Sequence, residues 1–399
     1  MPETSSPLEV LRVFLKLGLT SFGGPIAHLG YFRQEFVVRR RWLDDAAYTD
    51  LVALCQFLPG PASSQVGFSI GLMRAGYAGA LAAWTGFTLP SAVALVSFAY
   101  GAAALSGPVG GGLLHGLTLV AVAVVAQAVA GMARTLCPDL PRVSIAAAAA
   151  VVTVFSTSSF AQIGIIIGGG LLGFLLWRDA ASVSVPPVYM RTPISRRAAI
   201  VSFAAFGLLL IALPAARRYA SAPGVALFDA FYRSGALVFG GGHVVLPLLH
   251  DSFVTPGWIS DDTFLAGYAA AQAIPGPLFS IAAFLGAAVT PSPHGLAGAA
   301  LGLFAIFLPG MLVLVGTLPF WNILRAWTPA RAAMRGINAA VVGLLAAALY
   351  RPLWTSSVHN GRDLGIAVVG FLLLSVWRTS ALWVVILGAA AGMTIGLVG

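Results

Sequence analysis

The stretch Leu51-Val-Ala-Leu-Cys-Gln-Phe-Leu-Pro-Gly-Pro-Ala-Ser-Ser-Gln65 sets a Pro-Gly-Pro break inside an apolar run, and the chain repeats the device at Gln272-Ala-Ile-Pro-Gly-Pro-Leu-Phe-Ser280. Proline lacks a backbone donor and clashes with the preceding turn, and the residue before it is pushed out of the helical region. The runs 46–75 and 264–290 therefore read as pairs of half-helices meeting at Pro59-Gly60-Pro61 and at Pro275-Gly276-Pro277. In lipid, irregular backbone of this kind survives only where protein or a water-filled cavity satisfies it.

The rest of the chain says that the surroundings are lipid. Hydrophobic residues make up 59% and charged residues only 9%, and the mean hydropathy is +0.92; an average soluble domain carries about a quarter charged residues. Apolar runs fall at about 10–30, 46–75, 78–100, 109–132, 143–157 and 160–177, then, after a run at 198–213, at about 226–250, 264–290, 294–320, 334–350, 363–376 and 381–398. Most approach the ~20 residues a helix needs to cross a ~30 Å hydrocarbon core. Spans that satisfy their own backbone are helices, so the fold class is an all-α integral membrane protein. The N-terminus MPETSSPLEV has no basic region before the first apolar run, and no removable signal peptide is expected. Cys55 and Cys137 read as packed small residues, and no Cys/His spacing matches a metal site. The net charge of +9 sits largely in arginines between runs, as expected of loops that orient a membrane protein.

The two series of runs are copies. Phe14-x-x-x-Gly18-x-x-x-Phe22-Gly23-Gly24 recurs as Phe231-x-x-x-Gly235-x-x-x-Phe239-Gly240-Gly241, Trp42 pairs with Trp258, Phe87-Thr-Leu-Pro90 is echoed by Ile306-Phe-Leu-Pro309, and Gly116 by Gly336. Residues 1–180 and 226–399 are read as homologous repeats, each with a Pro-Gly-Pro-interrupted helix, and 181–225 as a linker with a single connecting transmembrane helix. Such duplications place the transported species between the repeats. The loop after the first motif carries Arg33, Arg39, Arg40 and Arg41; its counterpart, 251–263, has no Lys or Arg and holds Asp251, Asp261 and Asp262. Opposite charge in equivalent loops favours inverted repeats.

Each segment after Pro-Gly-Pro starts a helix whose N-terminus offers unpaired N–H groups and the positive end of a dipole. With Gln56, Ser63, Ser64 and Gln65 in one half and Gln272 and Ser280 in the other as neutral donors, the two breaks, prolines and glycines included, are the candidate substrate-binding residues for an oxyanion. Phe22-Gly23-Gly24-Pro25 with His28, and Phe239-Gly240-Gly241-Gly242-His243, are expected to line or gate the path, because adjacent glycines allow close backbone approach. Tight helix crossing and hydrogen-bonded structural histidines are the plainer readings of the same residues. Lys16, Asp50, Arg74, Asp229 and Arg233 lie in or near apolar runs, where an ionisable group draws suspicion; Lys16, Asp50, Arg74 and Arg233 are kept as charge partners. Gly168-Gly-Gly170 reads as helix packing. No Walker A sequence, histidine pair at metal spacing or Gly-x-Ser-x-Gly elbow supports an enzyme, and no cofactor is implied.

Ser21-Phe-Gly-Gly-Pro-Ile-Ala-His-Leu-Gly30, Arg40 to Asp44, the 51–65 stretch, Phe239-Gly-Gly-Gly-His-Val-Val-Leu-Pro247 and Gln272-Ala-Ile-Pro-Gly-Pro277 closely resemble the chromate ion transporter family in its long, two-domain form. The resemblance implies a multi-pass protein of the inner membrane that exports chromate from the cytoplasm and confers resistance, driven by membrane potential or proton antiport. It implies chromate as the partner besides the lipid bilayer, with sulfate or another tetrahedral oxyanion as the alternative cargo, no nucleic acid, and a homodimer left open. The different-class alternative is a non-transporting scaffold or intramembrane enzyme.

Overall fold

The computed structural model describes residues 6–22, 24–104, 108–156, 159–178, 194–219, 223–239 and 242–398. Every regular element among them is helical. Gly23, Gly240, Gly241 and, within the expected linker 181–225, residues 181–193 and 220–222 lie outside these described residues.

The first half runs α1 (Pro7–Thr20), α2 (Gly24–Arg33), a wider turn of helix (Gln34–Arg39), α3 (Asp45–Phe57), α4 (Ala62–Ala104), α5 (Pro108–Leu136), α6 (Leu140–Phe155) and α7 (Ser159–Trp177). The connecting helix α8 (Arg196–Tyr219) follows. The second half runs α9 (Pro223–Ala236), α10 (Val245–Phe253), α11 (Asp261–Ala273), α12 (Ile281–Ala288), α13 (Gly295–Thr317), α14 (Trp321–Ala326), α15 (Thr328–Ala348), α16 (Thr355–Ser357), α17 (Gly361–Ser375) and α18 (Ala381–Val398).

Local chemistry sets these boundaries twice over. Asp44 caps α3 by accepting from Ala47 N, and Ser260, its counterpart, caps α11 by accepting from Thr263 N. Both helices stop two residues before the first proline, with Leu58 and Ile274 extended, the conformation a following proline imposes. The runs read as 10–30 and 226–250 are not continuous: α1 ends at Thr20 and α9 at Ala236, each just ahead of Phe-Gly-Gly. Inside α4 the backbone leaves the helical region at Ala75 and Gly76 (φ −143° and +62°). The helix folds back there, so that Gly71 packs on Gly79, and the second half repeats the hairpin with Gly286 on Gly298 between α12 and α13.

Small residues also lock the halves together. In α5, Gly112 and Gly116 pack on Gly392 and Gly388 of α18, and in α15 Gly336 packs on Gly169 and Gly173 of α7. The next long helix after the proline-bearing one in each half, α5 or α15, thus pairs with the last helix of the other half. Without a hydrophobic force between helices in lipid, close backbone contact of this kind drives association, and it accounts for Gly169 and Gly170 as packing residues.

Among the described residues, five helical segments, Ala62–Gly101, Val109–Leu136, Arg196–Arg217, Gly295–Leu324 and Thr328–Ser357, are long and apolar enough to cross a membrane. The connecting α8 lies on the outside, with Ile200, Val201, Leu208 and Ile211 exposed. Beyond the membrane-facing elements, Arg39 and Arg40 pair with Glu35, and Arg40 reaches Glu9. Burial pushes the Glu35 carboxyl up, and the two guanidiniums outweigh it, holding the group below its usual range. Cys55 and Cys137 are free thiols, both buried.

Candidate functional site

The glycine of each Pro-Gly-Pro break donates to the other half of the chain. The Gly60 N–H donates to Val238 O at 2.8 Å, and the Gly276 N–H donates to Ser21 O at 3.0 Å. Val238 and Ser21 are the residues immediately before Phe239 and Phe22, so each Phe-Gly-Gly segment receives the opposite break. Both glycines have positive φ, +115° and +108°, which only glycine adopts without strain. A Cβ on Gly60 would sit 2.9 Å from Gly310 Cα, and one on Gly276 would sit 2.8 Å from Ser91 Oγ. Gly310 and Ser91 follow Pro309 and Pro90, so the reciprocal arrangement extends to the proline-bearing helices α13 and α4. Pro25 completes the meeting from the first half: a Cβ on Gly242 would lie 3.3 Å from its Cγ.

The backbone at this crossing is two-fold, but its polar side chains are not. Gln65 donates through Nε2 to Pro59 O and Gly310 O, both at 2.9 Å. Ser91 Oγ donates to Thr88 O at 2.9 Å and lies 2.7 Å from Ser280 Oγ. His28 Nδ1 is 3.4 Å from Ser63 Oγ, and the ring meets the Phe87 ring edge-on. The buried hydroxyls of Ser21, Ser64 and Thr88, together with His28 Nε2 and Gln65 Oε1, have no hydrogen-bond partner. All five residues belong to the first half, and their second-half counterparts are apolar except at Ser64, which matches Ser280.

The two helix starts differ as well. After Pro61, α4 begins directly at Ala62, so the first-turn N–H groups lack partners within the helix. After Pro277 a tighter turn, Leu278–Ser280, intervenes, and Ser280 N–H is taken up by Pro277 O. The second helix start therefore offers less than the equal pair expected from the motif.

Residues 8–174 and 225–393 match the family described as Chromate transporter. The chain belongs to the chromate transporter family. Among its relatives, a probable chromate transport protein of Synechococcus elongatus is 29% identical over 93% of this chain and 90% of its own length. Chromate transport proteins of Cupriavidus metallidurans and Pseudomonas aeruginosa are 28% and 27% identical, each over 98% of this chain and 92% of its own length. No solved structure matches. As a member of this family the chain is a multi-pass membrane transport protein with two repeats, and not an enzyme.

The remaining candidates of this chromate transporter family member are dispersed. Gln56, one helical turn before its break, is exposed, whereas Gln272, its counterpart, is partly buried, with Nε2 3.2 Å from His243 Nδ1. His243 Nδ1 also lies 3.0 Å from the Tyr268 hydroxyl. Phe22 and Phe239 are partly buried. Lys16 is exposed on α1 beside exposed Leu15 and Leu19, a position suited to snorkelling. Asp50 accepts from Trp321 Nε1 at 3.0 Å, and the Arg74 guanidinium lies over the Trp42 ring at 4.9 Å. Arg233 donates to the fully buried Asp229 at 2.8 Å, with Arg217 3.8 Å from the same carboxylate. Arg217 and Arg233 line a cavity of about 270 Å³ with Gln162, Ser234 and Ser252.

Ser21, Thr88 and Ser91 escaped the motif reading. The available signal was weak but real: Thr88 and Ser91 are polar residues flanking Pro90 within an apolar run. What brings them to the site is contact with the other half, which spacing along the chain does not encode.

Proposed function

We propose that this protein exports chromate from the cytoplasm across the inner membrane, using the membrane potential or proton antiport, and so confers chromate resistance. In this reading 1–180 and 226–399 are inverted halves joined through 181–225, and chromate binds where the two Pro-Gly-Pro breaks cross the opposite Phe-Gly-Gly segments. The observation that carries it is the set of buried, partnerless hydroxyls of Ser21, Ser64 and Thr88 on the segments that meet there.

An unpaired buried hydroxyl costs about 1–3 kcal/mol, so such groups invite a ligand that accepts from them. A tetrahedral dianion presents four acceptor oxygens. Neutral hydroxyls and the α4 helix start would hold it without the deep well that a fixed cation would create, which suits a site that must release its cargo. The driving force has the right sign. One charge crossing 100 mV gains about 2.3 kcal/mol, so a dianion leaving a negative-inside cell gains about 4.6 kcal/mol.

Everted vesicles containing the protein, energised so that the lumen is positive, are expected to accumulate labelled chromate well above empty vesicles. Collapse of the potential should remove most of that uptake, and a tenfold excess of sulfate should leave most of it. Sulfate suppression to background would assign a general oxyanion carrier, and absence of uptake by inserted protein would refute the transport reading.

A further inference from the structure

Outside the residues of the crossing, the fold brings together three metal-ligating side chains, one of them remote in sequence from the other two. His115, on α5, places Nε2 2.9 Å from Asp363 Oδ1, across a separation of 248 residues. His359, in the turn before α17, places Nδ1 3.9 Å from Asp363 Oδ2. The two imidazole rings lie nearly parallel, 5.9 Å between centroids. One nitrogen from each histidine and a carboxylate oxygen all fall within 4.8 Å of one another.

We propose that His115, His359 and Asp363 bind one divalent first-row transition-metal ion, for which Zn²⁺ and Co²⁺ serve as probes. The donor set, two imidazoles and one carboxylate, suits such ions rather than Mg²⁺ or Ca²⁺, which prefer oxygen. A tetrahedral ion with bonds of about 2.0–2.1 Å holds its ligands roughly 3.3 Å apart; His115 Nε2 lies 2.9 Å from Oδ1 and His359 Nδ1 3.9 Å from Oδ2 of Asp363, with one donor atom from each residue within 4.8 Å of the others. Small side-chain rotations close the set.

The carboxylate is pre-positioned. Asp363 is buried, its backbone N–H donates to the cap residue Asn360, and its Oδ2 accepts from His359 N–H at 3.0 Å. Such supporting contacts fix a ligand's orientation before an ion arrives. His359 is 60% exposed and His115 30%, which leaves an entry path and room for water in the remaining coordination position. Arg362, the neighbouring cation, is itself exposed, where salt screens it. A bound ion would tie α5 of the first half to the start of α17 in the second.

A simpler account makes the trio an Asp–His pair closing the α17 N-terminus, with no affinity for metal. Titration of Co²⁺ into the detergent-purified protein, carrying no polyhistidine tag, separates the two. The expected result is one ion per chain, a visible ligand-field band, and displacement by Zn²⁺. His359→Ala, at an exposed position that does not threaten folding, should weaken binding at least about tenfold, and His115→Ala should do the same. No saturable band, or a band that His359→Ala and His115→Ala leave unchanged, would overturn the proposal.

Discussion

Gly60→Ala is expected to abolish chromate transport and to destabilise the protein by about 2–6 kcal/mol, roughly 1–3 from backbone strain and 1–3 from overpacking. The strain arises because φ is +115° at this residue, and the crowding because the new methyl would meet Gly310 Cα at 2.9 Å. Gly310 cannot yield cheaply because the contact is backbone, and the next atom, Gln65 Nε2 at 3.1 Å, is held by its two hydrogen bonds. Any retreat of the 59–61 turn breaks the Gly60 N–H bond to Val238 O, the contact that holds this break against the opposite half. Gly276→Ala should act in the same way through φ +108° and Ser91, with a somewhat smaller steric share, because a side-chain hydroxyl can move. Gly131→Ala is the control: it sits within α5 with nothing near its absent Cβ, so vesicle uptake and thermal midpoint should hold or rise slightly. Uptake and thermal unfolding of the three variants check the prediction; a Gly60→Ala protein that transports normally would contradict it.

The second large effect is expected at Gln65. Its amide bridges Pro59 O of the first break and Gly310 O of the second half, 245 residues away, with both bonds at 2.9 Å. Gln65→Leu preserves much of the volume but removes both bonds, leaving the partly buried Pro59 O without this donor and Gly310 O with its place in the α13 ladder alone, a loss of about 1–3 kcal/mol. Because the bridge joins the halves, the loss should appear in transport as well as in stability. Gln65→Glu is expected to be as damaging in vesicle uptake: a carboxylate cannot donate to either carbonyl, and its charge would repel an arriving dianion. Near-normal uptake by both variants would show that the bridge is incidental.

Much of this architecture was legible because proline acts locally. The ends of α3 and α11 follow from residues 57–61 and 273–277 alone, and the identical spacing from Phe14 to Gly24 and from Phe231 to Gly241 exposed the duplication without any contact information. The break of the runs 10–30 and 226–250 at Phe-Gly-Gly was harder to read, since two glycines serve equally as a packing surface and as a helix end. The reversal at Ala75 and Gly76 had no proline to announce it.

What spacing did not contain was which segment meets which. Gly60 on Val238, Gly276 on Ser21 and Ser91 on Ser280 are all contacts between halves, and the motif symmetry suggested two equivalent helix starts that the fold does not keep. Ser21, Thr88 and Ser91 became site candidates only through those contacts. The same holds for His115 and Asp363, which no sequence spacing would join. Conversely, Arg74 and Asp50, conspicuous in an apolar run, are engaged by Trp42 and Trp321.

The central claim, that chromate is held by the partnerless hydroxyls at the crossing, is tested most directly by equilibrium binding of labelled chromate to the purified protein and to the Ser64→Ala/Thr88→Val variant. These hydroxyls bond to nothing in the protein, so removing them should leave the thermal midpoint unchanged or higher. Each hydrogen bond to a charged ligand contributes about 1.5–3 kcal/mol, so affinity should fall at least about 100-fold. An unchanged dissociation constant in a folded variant would place the chromate site elsewhere.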